Sequence, residues 1–306
     1  MPINPCFADL LSDPRNTVRP PPDHIPMDKV RQAADRAMDQ GEIPDLERIV
    51  DGIVQLPGRD IAIRHYRPSK TKILPAIIFC HGGGFVWGSI DTHDGICRRL
   101  ASETGAAVIS VGYRLAPETR FPGPVDDVHG VLNDVIRNAA RYGIDPEAIA
   151  LCGDSAGGAI CVGVAALAAR TGRKLRHLGL FYPALDPACA SASQHEFADG
   201  PLLTRDAMMW FWSCYLGAAD WDDTVPLPHQ VHEFSGFPAT TLITAEYDPL
   251  RDEGEAFHQR LVASGVAAEL TCAPGMIHGF LSLPVASPLI ADSFNEVAAR
   301  LRRSLG

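Results

Sequence analysis

A serine becomes a nucleophile only where a base takes its proton, and one serine in this chain has the setting for it. Ser155 lies in Gly153-Asp154-Ser155-Ala156-Gly157, directly after the apolar run Ala148–Gly153 and at the start of the apolar stretch Ala156–Arg170. A strand that turns sharply into a helix needs small residues beside the turn, because β-carbons there would clash as the backbone doubles back. Such a turn holds the hydroxyl clear of the sheet and beside a helix N-terminus, where the dipole and free N–H groups favour developing negative charge. A capping serine would account for Ser155 alone. It would not account for glycines at 153, 157 and 158 together.

The base and its orienting acid follow from position, not from residue type. Eleven histidines are present, and the serine needs one of them held by a carboxylate. His278, in "APGMIHGFL", falls in a loop after the last expected strand, flanked by Gly275 and Gly279. Asp248, in "TAEYDPLRDEG", ends the preceding expected strand, just before a helix. Loops beyond the carboxyl ends of parallel strands share one rim of the sheet. Ser155, Asp248 and His278 therefore converge there as nucleophile, orienting acid and general base. Of the competing acids, Glu246 falls inside the strand and points elsewhere, while Asp252 and Glu253 suit the first helical turn. Asp248 could also serve as a helix cap ahead of Pro249. His65, His129, His177 and His258 read as strand or helix residues, and His24, His195, His229 and His232 as loop residues. His93, in "DTHDG", reads as a cap or a surface residue. None of these makes a metal-ligand spacing, so no metal is expected.

Attack on an acyl carbon creates an oxyanion, which needs preorganised N–H donors. The stretch "FCHGGGFVWG", Phe79–Gly88, places three glycines after another expected strand, on the same rim. Bare glycine backbone can turn its N–H groups toward that oxygen with no side chain in the way. The N–H of Ala156 completes the set. A plain turn seldom needs three glycines.

These loops require a particular scaffold. Two alternating strands around Pro57-Gly58 are expected between Arg48 and Pro68, then apolar strands at Pro75–Cys80, Ala106–Arg114, Ala148–Gly153, His177–Pro183, Thr240–Asp248 and Ala267–Pro274. Helices are expected at Pro124–Arg141, Ala156–Arg170, Asp252–Ser264 and Asp292–Leu305. Apolar strands alternating with helices imply an α/β fold with a parallel sheet covered on both faces. The alternation breaks once, from about Asp186 to Phe237, a segment containing "GPLLTRDAMMWFWSCYLG". A connection that long in a compact domain is usually functional. Near the start, Met27, Val30, Ala33, Ala34 and Met38 mark a short helix with a narrow apolar face, suited to lying on something else.

The composition sets the remaining limits. The net charge of −10 argues against nucleic acid and anionic membrane as partners. Eight scattered cysteines form no C-x-x-C pair, and several lie in apolar runs, which suits free thiols and a cytoplasmic location. No signal peptide is apparent. The longest apolar run, Ala156–Ala169, is shorter than the roughly 20 residues of a membrane span.

Taken jointly, "HGGGF" (His81–Phe85), "YRLAPE" (Tyr113–Glu118) with the following "FPGPVDD", "GDSAGG" (Gly153–Gly158), "DPLRDE" (Asp248–Glu253) and "HGF" (His278–Phe280) resemble the bacterial hormone-sensitive-lipase-like, or family IV, carboxylesterases of the α/β-hydrolase superfamily. The resemblance implies an eight-stranded, mostly parallel sheet under a helical cap. The cap would comprise residues 1–45 and 186–237, with residues 46–185 and 238–306 forming the catalytic core. It implies hydrolysis of short- to medium-chain acyl esters through Ser155, His278 and Asp248, without a cofactor. The oxyanion would be held by N–H groups of Gly83, Gly84 and Ala156, and His81 would hold the glycine loop. Trp87, Met208 and Phe211, with Met209, Trp210 and Trp212 around them, are candidates to line the substrate pocket or merely to fasten the cap. A lactonase, an amidase or peptidase, or a binding protein without activity are the alternatives on this scaffold. The last strand, Ala267–Ala273, is a candidate edge for a homodimer.

Overall fold

The computed structural model describes residues 2–36, 43–217 and 224–306. Met38, expected in the first amphipathic helix, lies outside them. Eight strands form one sheet: β1 (Arg48–Leu56), β2 (Arg59–Arg67), β3 (Leu74–Cys80), β4 (Ala107–Gly112), β5 (Ile144–Asp154), β6 (His177–Phe181), β7 (Ala239–Tyr247) and β8 (Ala268–Ile277). Their order is β1-β2-β4-β3-β5-β6-β7-β8. β2 runs antiparallel to both its neighbours, and all pairs from β4 to β8 are parallel. The swapped order of β3 and β4 brings β3 beside β5, with Cys80 opposite Gly153. The glycine loop and the serine turn thus leave adjacent strands at the same rim.

Ten helices accompany the sheet among the described residues: α1 (Ala8–Ser12), α2 (Met27–Arg36), α3 (Asp94–Thr104), α4 (Gly123–Arg137), α5 (Ala139–Tyr142), α6 (Ala156–Arg170), α7 (Ala192–Glu196), α8 (Arg205–Leu216), α9 (Arg251–Ala263) and α10 (Pro288–Leu305). The single helix expected over Pro124–Arg141 breaks at Asn138, and α10 starts at Pro288, four residues earlier than expected. A proline fits there because the first helical N–H has no partner to lose.

The pleat of the central strands divides the interior. Ile77 and Phe79 face one apolar cluster with α3 and α10, whereas Ala76, Ile78 and Cys80 face another with α4 and α6. Strands buried on both faces must be apolar throughout, and the expected runs were. α6 is buried nearly all round, including Ile160, Val162 and Val164.

The segment between β6 and β7 folds over the rim. Tyr215 of α8 stacks flat on Phe85 at 3.9 Å, and its carbonyl accepts the N–H of Phe121. The N-terminal residues divide between two places. Phe7 is fully buried in the α3–α10 cluster, and Asn4 donates its N–H to the carbonyl of Gly275. Further along, Val18 bridges to Leu203, and Arg31 of α2 donates to the carbonyls of Val86 and Ala116.

Candidate active site

Ser155 takes φ +50° and ψ −120° at the joint between β5 and α6. A β-carbon in that region carries strain of order 1–3 kcal/mol, which surrounding contacts must hold. They do so through the Ser155 N–H, which donates to the Phe181 carbonyl at 2.9 Å, and through the Ser155 carbonyl, which accepts from Gly158 and Ala184. The turn is also crowded: a β-carbon on Gly157 would strike the carbonyls of Cys80 and His81. This is the physical content of the small residues around the serine.

Ser155 Oγ lies 3.0 Å from Nε2 of His278, and Nδ1 of that ring lies 2.7 Å from Oδ2 of Asp248. Asp248 has no exposed surface, while Ser155 and His278 are each 8% exposed. The other Asp248 oxygen accepts the Leu250 N–H at 2.8 Å, so the carboxylate cannot swing away. His278 follows β8 directly, and its ring packs edge-on against Tyr182 at 5.1 Å. The sequence had placed these three residues on one rim, and the fold brings them into contact. Glu246 points elsewhere and accepts the Gly275 N–H.

Each of the three loop glycines answers a different steric demand. A β-carbon on Gly82 would occupy the Asp154 carboxylate, one on Gly83 the Trp87 carbonyl, and one on Gly84 the Phe211 ring. Gly83 and Gly84 also take φ of +118° and +58°, where only glycine is unstrained. The Gly82 N–H donates to Asp154 Oδ1 at 2.8 Å. Among the described residues, neither the Gly83 nor the Gly84 N–H has a protein acceptor. The N–H of Ala156 is in the first turn of α6, where no preceding carbonyl is available.

His81 is buried, and its desolvation, with His93 nearby, lowers its pKa to about 3. The neutral ring donates from Nδ1 to the Gly82 carbonyl at 2.8 Å and stacks on Tyr113 at 4.2 Å. The Tyr113 hydroxyl donates to the His81 carbonyl at 2.7 Å. His93 corrects the reading from sequence. It does occupy the N-cap position of α3, where its carbonyl accepts the Cys97 N–H, but it is no surface residue: its side chain makes no cap bond and is fully buried, with Nε2 3.4 Å from Asp154. α3 lies against the sheet and carries the ring at its N-cap inward, and the short string "DTHDG" carries no trace of that.

Of the pocket candidates, Trp87 and Phe211 meet edge-on at 4.5 Å above the glycine loop. Met208 and Trp212 are buried in the core cluster beneath α8, whereas Met209 faces solvent. Asp154, Tyr113 and Glu253 support the site from positions inside the sequence motifs, whereas His93 does so from outside all of them.

A strand-turn-helix serine on an eight-stranded mixed sheet of this order defines an α/β hydrolase. The chain belongs to the α/β-hydrolase fold family, whose profile matches residues 77–282. Within it, this is a member of the hormone-sensitive-lipase-like family IV, a family of carboxylic ester hydrolases. Carboxylesterase NlhH of Mycobacterium tuberculosis is 38% identical over 270 residues, covering 86% of this chain and 84% of the relative. An ethyl acetate hydrolase of Pseudomonas putida is 33% identical over 304 residues, covering 92% and 93%. The hyperthermophilic esterase of Pyrobaculum calidifontis superimposes with a TM-score of 0.89 at 33% identity, covering 99% of each chain.

Proposed function

We propose that this protein is a serine carboxylesterase acting on short- to medium-chain acyl esters through Ser155, His278 and Asp248. The observation that carries the reading is the run of contacts from Ser155 Oγ to His278 Nε2 at 3.0 Å and from His278 Nδ1 to Asp248 at 2.7 Å. His278 takes the Ser155 proton as Oγ bonds to the ester carbonyl carbon, and the carbonyl electron pair moves onto oxygen. The N–H groups of Gly83, Gly84 and Ala156 receive that oxyanion. Collapse breaks the bond from carbon to the alkoxy oxygen, and His278 protonates the leaving alkoxide, which departs as the alcohol. Water then attacks the acyl-enzyme carbonyl with the same imidazole accepting its proton, and collapse breaks the acyl–Oγ bond, releasing the acid as the proton returns to Ser155 Oγ. Asp248 stays ionised, keeping the proton of the neutral ring on Nδ1. The cycle is complete without a cofactor.

Residues 1–45 and 186–237 form the cap in this reading, over a core of residues 46–185 and 238–306. Trp87 and Phe211 line the acyl or alcohol pocket, with Met208 behind them. The low exposure of Ser155 and His278 beneath the segment between β6 and β7 supports a small substrate. The edge position of β8 supports pairing with a second copy. Eight free thiols support a cytoplasmic location.

The test is hydrolysis of p-nitrophenyl esters of increasing chain length by the wild type and by Ser155→Ala. Rates should peak at short to medium chains and fall on the order of a million-fold in the variant. Near wild-type turnover by Ser155→Ala would remove the nucleophile assignment.

A further inference from the structure

We propose that Asp154 is a positioning residue for this hydrolysis: by holding the Gly82 N–H, it aims the next two N–H groups of the loop at the oxyanion. The inference rests on the esterase reading above and adds a role for a residue that does not touch the substrate.

Asp154 precedes the nucleophile and is only 3% exposed. A carboxylate so buried is costly unless its oxygens are bonded. Its Oδ1 accepts the Gly82 N–H at 2.8 Å and lies 3.4 Å from His93 Nε2, which accepts the same N–H more weakly at 3.3 Å. The His93 ring is fixed from its far side. Thr92 Oγ1 donates its one proton to the Ser89 carbonyl at 3.0 Å, so at 2.9 Å it accepts from His93 Nδ1. The carbonyl of Gly82 is pinned as well, by His81 Nδ1 at 2.8 Å.

Gly82 is therefore held at both its N–H and its carbonyl, while Gly83 and Gly84 have no side chain to restrict their own rotation. The peptide carrying the Gly83 N–H is held through the Gly82 carbonyl by His81 Nδ1, and the one carrying the Gly84 N–H through the Gly83 carbonyl, which accepts from Val86 and Trp87. Asp154 fixes the peptide that precedes both, so the direction in which the loop leaves β3, and with it the aim of these two N–H groups, depends on this bond. Since Asp154 sits one residue from Ser155, the same strand end sets the nucleophile and the register of the oxyanion donors. An N–H that turned inward at Gly83 instead of Gly82 would subtract a donor from the hole. Removing one such donor typically slows turnover by a hundred- to a thousand-fold.

The experiment compares kcat and KM for p-nitrophenyl butyrate in the wild type, Asp154→Ala and Asp154→Asn. Asp154→Ala should lower kcat by roughly a hundred- to a thousand-fold with KM within about threefold of wild type, as expected for an interaction made only in the transition state. Asp154→Asn keeps an acceptor oxygen for Gly82 and should stay within about tenfold in kcat, a rescue that a purely electrostatic role would not give. Asp154→Ala within threefold of wild-type kcat, a loss expressed wholly in KM, or Asn as impaired as Ala would each overturn the proposal. Should Asp154→Ala fail to fold, Asp154→Asn decides alone, with a hundredfold loss overturning the role. A wild type that leaves every ester intact would overturn the esterase reading instead, so the two failures are distinguishable.

Discussion

The Phe211 ring of α8 lies against the bare Cα of Gly84, in the space a β-carbon would fill. The segment that covers the rim thus rests directly on the loop assigned to the oxyanion. Gly84→Ala must displace the ring and also place a β-carbon at φ +58°. Turnover should fall about a hundredfold, the typical effect of losing one donor. Gly84→Ala with Phe211→Ala should recover part of it, since the clash is relieved and the backbone strain is not. Steady-state kinetics on both variants checks this, and equal activity in the two would exclude the contact as the cause.

The second Asp248 oxygen is bonded to the Leu250 N–H, so an amide can occupy the same place. Asp248→Asn should fold normally, leave the wrong His278 tautomer beside Ser155, and lower kcat by about ten-thousand-fold. Circular dichroism and kcat together test it. A loss of tenfold or less would assign the orienting role to another acid.

Glu253 of α9 joins the start of the segment between β6 and β7 to the helix after Asp248. Its carboxyl accepts the Leu185 N–H at 2.6 Å and that of Asp186 at 3.4 Å. Burial raises its pKa from 4.5 to about 8, so the folded state holds a proton that the unfolded chain releases. This stabilisation is fully present below pH 4.5 and is lost as pH rises toward 8. Glu253→Gln keeps an acceptor and has no charge to bury. Its melting temperature should match the wild type near pH 4.5 and exceed it near pH 9; a difference that is the same at both values would refute the assignment.

Buried neutral histidines act in the opposite direction. Desolvation lowers His65 and His177 from 6.5 to about 4 and His81 to about 3. Their contribution is present above pH 6.5 and is lost as pH falls toward 4. The urea midpoint should drop over that interval. His65 Nε2 is buried without a partner, so His65→Phe should reduce the steepness of the decline by about one proton. Unchanged steepness would place the acid sensitivity elsewhere.

Much of the scaffold was legible because its physics is local or periodic. Strands covered on both faces must be apolar at every position, and Ala76–Cys80 and Ile149–Cys152 are. A sharp strand-to-helix turn must have small neighbours, and the serine motif does. The long break in alternation marked the segment that covers the rim, although α7 and α8 within it were not delimited. Stacking of Tyr215 on Phe85 depends on how that segment folds back, and no local pattern encodes such a distance.

The chain order of Ser155, Asp248 and His278, the strand ends that carry them and the glycines at 82–84 follow from the sequence alone, since each obeys a rule about neighbours or period. Which N–H groups remain free, that His93 is buried against Asp154, and that Phe7 and Asn4 support the strand leading to His278 were decided by the tertiary structure. Those relations join residues dozens to hundreds of positions apart, and their geometry exists only once β3 lies beside β5 and the N-terminal residues have packed against the end of β8.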